Sequence, residues 1–253
     1  MTGTPNSGAA ATAQEVSWGR YGGVALDEYT VRLIAAGWET SYVVLSRPTH
    51  DDILLSMGAN DFGNLGVGSK LSGAKKTGPN HQPHFVPLRD CLPAGCATGL
   101  LSILALSSGP HHTIAHVRID IPDGSPATYL LGWGTARHGQ LGSVHNASGR
   151  PAAYISSPHL ISSDPKSVSQ IALGNQHTVL LDTSGALTTL GSNRKDQLTG
   201  LSTLHDVKRI GCTWNGTYAL LRSGALLATG SNTHSQLGRG TGGQDATGRD
   251  SPP

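Results

Sequence analysis

Gly174-Asn175-Gln176-His177-Thr178-Val179-Leu180-Leu181 opens a unit that closes with Gly191-Ser192-Asn193-Arg194-Lys195-Asp196-Gln197-Leu198-Thr199. The pairing occurs four times. Earlier copies are Gly37-Trp38-Glu39-Thr40-Ser41 with Gly58-Ala59-Asn60-Asp61-Phe62-Gly63-Asn64-Leu65-Gly66, and Gly109-Pro110-His111-His112-Thr113 with Gly132-Trp133-Gly134-Thr135-Ala136-Arg137-His138-Gly139-Gln140-Leu141-Gly142. The last runs from Gly211 through Trp214 to Thr217, its turn read as slightly longer, and closes with Gly230-Ser231-Asn232-Thr233-His234-Ser235-Gln236-Leu237-Gly238. A recurring unit of this size signals a modular architecture. The joints differ in length, as expected of loops on the faces of such a fold.

Each unit reads as short strands. Thr178 to Leu181 is β-branched and apolar, Asp182-Thr183-Ser184-Gly185 is a turn, and residues 186–190 resume as a strand. Tyr218 to Leu221, Arg222-Ser223-Gly224 and residues 225–229 repeat the device. No segment keeps helical periodicity over several turns. One small antiparallel sheet cannot bury both of its faces, whereas sheets stacked around an axis can. The expectation is an all-β propeller with units near 30–68, 103–142, 168–200 and 207–240, a partial blade at 18–31, and hence four to five blades within 15–240. Residues 1–14 and 241–253 read as disordered ends, being small, polar and rich in Gly and Pro.

Gly-x-x-His-Thr followed by Gly-x-Asn-x-x-Gly-Gln-Leu-Gly resembles the regulator of chromosome condensation repeat, over roughly 18–240. The resemblance implies a β-propeller of about seven blades, so four to five are fewer than it implies. Thr40 stands where the pattern has His, and Asn64 where it has Gln. Tyr21-Gly22-Gly23 through Ser41, with the block at 132–142, is most similar to the fungal alpha-tubulin suppressor branch. That branch implies a small metal-binding protein as partner, in tRNA wobble-uridine modification and diphthamide synthesis.

Composition excludes several classes. The 253 residues include 34 Gly and 14 Pro, with 13% charged and 5% aromatic residues. A net charge of +2 with no basic stripe beyond Lys75-Lys76 argues against direct nucleic-acid binding. No apolar run is long enough to span a membrane, and the first residues do not read as a secretory signal. Cys91, Cys96 and Cys212 suggest no disulfide framework, so a reducing compartment, cytoplasm or nucleus, is expected.

Among twelve histidines the densest cluster is His81-Gln82-Pro83-His84, followed by Cys91 and Cys96. On paper these form two ligand pairs; the plainer reading is a Pro-rich insertion with incidental His, and no metal is assigned. His112 and His177 recur at equivalent positions ahead of a strand, which favours architecture over catalysis. No nucleophile elbow or phosphate loop occurs, and Asp51-Asp52 would point to opposite sides of an extended chain. No catalytic residue and no cofactor is expected.

What remains is a binding module. The variable loop positions Asn60, Asp61, Arg137, His138, Arg194, Lys195, Asp196 and His234 are candidates for partner contact, with Trp38, Trp133 and Trp214 as anchors. Each tryptophan lies near a repeat glycine and can equally fill space between blades. The leading expectation is a non-enzymatic adaptor; the second is nucleotide exchange on a small nuclear GTPase with chromatin association. The low blade count leaves a truncated chain, a smaller ring, or completion by a second chain, and the Gly/Pro-rich ending favours the first.

Overall fold

The computed structural model describes residues 16, 19–68, 80–122, 124–163 and 168–238. The two ends read as disordered and Lys75-Lys76 lie outside these. A two-stranded ribbon, β1 (Arg20–Tyr21) and β2 (Val24–Ala25), precedes four antiparallel sheets. The first sheet is β3 (Thr30–Ala36), β4 (Thr40–Ser46), β5 (Ile53–Gly58) and β6 (Asn80–Phe85). The second is β7 (Leu100–Ser108), β8 (His112–Asp120), β9 (Ala127–Thr135) and β10 (Tyr154–Ser163). The third holds β11 (Val168–Leu173), β12 (His177–Asp182) and β13 (Leu187–Gly191); the fourth holds β14 (Val207–Cys212), β15 (Gly216–Leu221) and β16 (Leu226–Gly230). Among the described residues the only helices are short 3₁₀ turns. The partial blade read at 18–31 is the ribbon and one such turn at Leu26–Glu28.

Each sheet is a blade, and its first strand neighbours the first strand of the next: β3 against β7, β7 against β11, β11 against β14. Blades stack because their strands are apolar on both faces. On β8, Ala115, Val117 and Ile119 join a core with Tyr42, Val44 and Leu54 of blade 1, while Ile114 turns to Leu180 of blade 3. Successive strand residues face opposite sides, so one strand serves two interfaces. Leu181, Val207 and Ala219 join blades 3 and 4. The ribbon covers the outer face of blade 1, where Leu26 packs on Leu45 and Leu55. Fully burying each such side chain contributes about 1.5–3 kcal/mol. Leu226 of blade 4 is 64% exposed.

At the opposite end of the blades from the repeat turns, Asp51 and Asp52 fasten blade 1 to blade 2. Asp51 receives Arg89 through two nitrogens (2.5 and 2.6 Å) and the Leu101 N–H (2.9 Å). Asp52 receives Arg32 (2.5 Å) and the Ile103 N–H (2.7 Å). Burial alone would raise the Asp51 carboxyl, but Arg89 and the Leu101 amide hold it below the usual carboxylate value.

Candidate partner-binding face

Both halves of every repeat lie at one end of the blade, because the chain climbs the first strand, descends the second and climbs the third. The third strand carries, at its last or next-to-last residue, a glycine with φ between +97° and +118°: Gly58, Gly134, Gly191 and Gly230. A Cβ at these glycines would stand 2.1–2.3 Å from the carbonyl oxygen of Glu39, His111, Gln176 or Asn215. The next amide donates to that same oxygen, as in Thr135 N–H to His111 O (2.8 Å) and Ser192 N–H to Gln176 O (2.9 Å). Gly134 therefore, and not Gly132, is the equivalent of the other three. The fourth turn is also no longer than the rest: Thr213 N–H donates to Gly216 O (2.8 Å) as Gly174 N–H does to His177 O (2.9 Å).

The histidines bind blade to blade. Thr178 Oγ1 gives its single proton to Gln140 O (2.8 Å), so it accepts from His112 Nε2 (3.0 Å). Thr217 Oγ1 likewise donates to Gln197 O (2.7 Å) and accepts from His177 Nε2 (3.1 Å). Between blades 1 and 2 a tyrosine is interposed: Thr113 Oγ1 donates to Tyr42 (3.0 Å), whose hydroxyl donates to Asn64 O. Burial drives the His112 imidazole down to about 3, assisted by His177 and His111, and drives His177 down to about 4.

On this face the sequence-derived candidates separate by role. Trp133 is wholly buried; its Nε1 donates to Asn64 O (2.8 Å) and its ring meets Tyr42 edge-on. It offers no surface to a partner, which corrects its reading as an anchor. Asn60 closes its own loop by accepting the Leu65 N–H (3.0 Å), as Asn193 and Asn232 do for Leu198 and Leu237. Asp196 holds φ +58°, and its carbonyl accepts Thr229 Oγ1 (2.7 Å). Asp61, Arg137, Arg194, Lys195 and His234 are exposed and His138 half-buried.

Trp38 and Trp214 come together. Their rings are 5.4 Å apart edge to face, although they belong to blades 1 and 4. His111 of blade 2 lies 6.4 Å from Trp38 and 6.3 Å from Trp214, and Phe62 lies 5.0 Å from His111. Trp38 is 64% exposed, Trp214 44% and Phe62 42%. An aromatic patch thus sits where the first turns of three blades converge. Phe62 and His111 were not among the sequence candidates; each occupies a variable position between motif residues.

Elsewhere, Cys96 Sγ contacts Tyr129 Oη (3.1 Å) and Cys91 Sγ donates to Leu88 O (3.2 Å). Among the described residues no three His, Cys, Asp or Glu side chains could hold a metal ion; the side chain of His81 lies outside them. No described helix is long and apolar enough to cross a membrane.

This architecture is a β-propeller assembled from short repeats. The regulator of chromosome condensation (RCC1) repeat matches residues 129–181, so the chain carries a repeat of that kind. The chain is similar to the ultraviolet-B receptor UVR8 of Arabidopsis thaliana, 27% identical over 85% of this chain and 44% of that protein. It is also similar to the secretion-regulating guanine nucleotide exchange factor of Bos taurus, 29% identical over 44% of this chain and 26% of that protein. Among solved structures, yeast RCC1 (Prp20) bound to Kap60 superposes with a TM-score of 0.61 at 20% identity, covering 87% of this chain and 47% of Prp20. Prp20 of Saccharomyces cerevisiae in a second structure gives 0.58 at 21%, covering 82% and 46%. The chain spans less than half the length of these relatives. The matched repeat runs from β9 to β12, so one sequence unit belongs to two blades.

Proposed function

We propose that this chain is a non-enzymatic adaptor that docks a protein partner on the face carrying the repeat turns. The observation behind this reading is the exposed patch of Trp38, Trp214, Phe62 and His111. Large aromatic groups supply most of the binding energy at interfaces when a partner covers them. Solved relatives are described as binding proteins: Prp20 is seen with Kap60 and studied for its binding to Gsp1p and histones. The finer reading follows the fungal alpha-tubulin suppressor resemblance: a small metal-binding protein as partner, in tRNA wobble-uridine modification and diphthamide synthesis, in the cytoplasm or nucleus. The test is affinity capture from the native cells with the wild-type chain and with Trp38→Ala/Trp214→Ala. A partner lost from the folded double variant supports the adaptor reading; capture unchanged by the double variant overturns it. If the captured protein is not a small metal-binding protein, the finer reading falls while the adaptor stands.

Nucleotide exchange on a small GTPase is the second reading, favoured by the bovine relative's description as an exchange factor. Release of labelled GDP accelerated by the purified chain would put it first.

A further inference from the structure

On the face that carries the repeat turns, an open cavity of about 460 Å³ lies between the third-strand loops of blades 2 and 3. Arg137 and His138 line it from one loop, Asn193 and Arg194 from the next, and Ser143 and His145 from the segment that follows the blade 2 loop. No carboxylate lines it. The acid nearest in sequence, Asp196, turns to the Thr199 hydroxyl (3.3 Å). Neither arginine takes part in an ion pair among the described residues. The His138 imidazole is held below its ordinary value by burial, then by the nearby Arg194 and Arg137.

We propose that this cavity binds the phosphate of a phosphorylated serine or threonine in the docked protein segment. The inference rests on the adaptor reading and adds the partner's chemistry to it. A carboxylate carries one charge and two oxygens, which one guanidinium fork satisfies; a phosphomonoester carries close to two charges and three acceptor oxygens. Two forks reaching from opposite loops match the second ligand. Arginine in particular suits planar, bidentate capture of such a group. A nucleic-acid backbone would need a cationic track, and this recess sets two arginines in a chain of net charge +2.

The test uses fluorescence anisotropy with a labelled degenerate peptide pool carrying a central phosphoserine, beside pools with serine or glutamate there. The phosphoserine pool is expected to bind at least about tenfold more tightly than either control. Arg137→Ala/Arg194→Ala should abolish that preference, and Arg137→Lys/Arg194→Lys should restore little of it, because charge without the fork is retained. Arg209→Ala/Arg222→Ala, on blade 4, should leave it intact. Equal binding of the three pools overturns the proposal. So does a single-stranded RNA oligonucleotide that binds as tightly as the phosphoserine pool, or loss of the preference in the blade 4 control. Partner capture that survives the cavity variant but not Trp38→Ala/Trp214→Ala would remove this site and leave the adaptor standing.

Discussion

The imidazole of His177 fills the space that a side chain on Gly174 would need: a Cβ there would stand 2.0 Å from Cε1 of the ring. Blade 4 inverts the pair. Thr213 takes the glycine position and Gly216 the histidine position, and a Cβ on Gly216 would meet Thr213 Oγ1 at 2.9 Å. One of the two places carries a side chain and the other stays empty.

Gly174→Ala should therefore destabilise the protein by about 2–3 kcal/mol, the cost of forcing a well-packed ring aside. Gly174→Thr/His177→Gly, which copies blade 4, should recover the clash component and leave only the lost inter-blade hydrogen bond. Chemical denaturation of the three proteins checks the ordering; a double variant less stable than Gly174→Ala would contradict it.

The buried histidines make stability depend on pH. In the unfolded chain their pKa is near 6.5, and in the fold it is about 3 for His112 and about 4 for His177. Folded values below unfolded ones mean that the unfolded state binds more protons, so stability is full above 6.5 and falls as the pH drops toward these values. At pH 5 each histidine should cost about 2 kcal/mol. Thermal melts of the wild type between pH 8 and 5 should show the slope, and His112→Asn/His177→Asn should flatten it while lowering stability at pH 8.

Asp51 acts lower on the scale. Its folded value is depressed, so its contribution is present above the unfolded 3.8 and is lost as pH falls through the folded value. Asp51→Asn should lower stability at neutral pH by about 1–2 kcal/mol through the weakened Arg89 and Leu101 hydrogen bonds. It should also reduce the acid-induced loss below pH 4, read from denaturant midpoints.

The tryptophans should divide by burial. Trp133→Ala is expected to cost about 3–5 kcal/mol. Trp38→Ala should change stability by no more than about 0.5 kcal/mol, as for exposed positions. Paired urea titrations decide this, and equal costs would contradict the assignment of Trp38 to an open patch.

The hairpins and their stacking were legible because β-branched runs, turn residues and a repeated Gly-x-x-His-Thr all point the same way. The architectural role of His112 and His177 followed from their repetition. The outer strands β6 and β10 are not legible in the sequence: neither carries the motif, and Pro83 and Pro158 interrupt their patterns. Gly132 and Gly134 are indistinguishable in the sequence, which shows two glycines but not which has positive φ. Trp38 and Trp214 read alike with Trp133, since burial depends on the neighbouring blade. The Phe62–His111 contact joins two variable positions through a packing that no local pattern encodes.

The inter-blade histidine bonds all run in one direction, from His112 to Thr178 and from His177 to Thr217. At the next step the donor position is Gly216, which has no side chain to extend the series. The arc has a polarity like that of a zip: amide protons of β15 and β16 should exchange earliest among the blade strands. Opening then moves back through blade 3, and the blade 1–blade 2 core around Trp133 holds out longest.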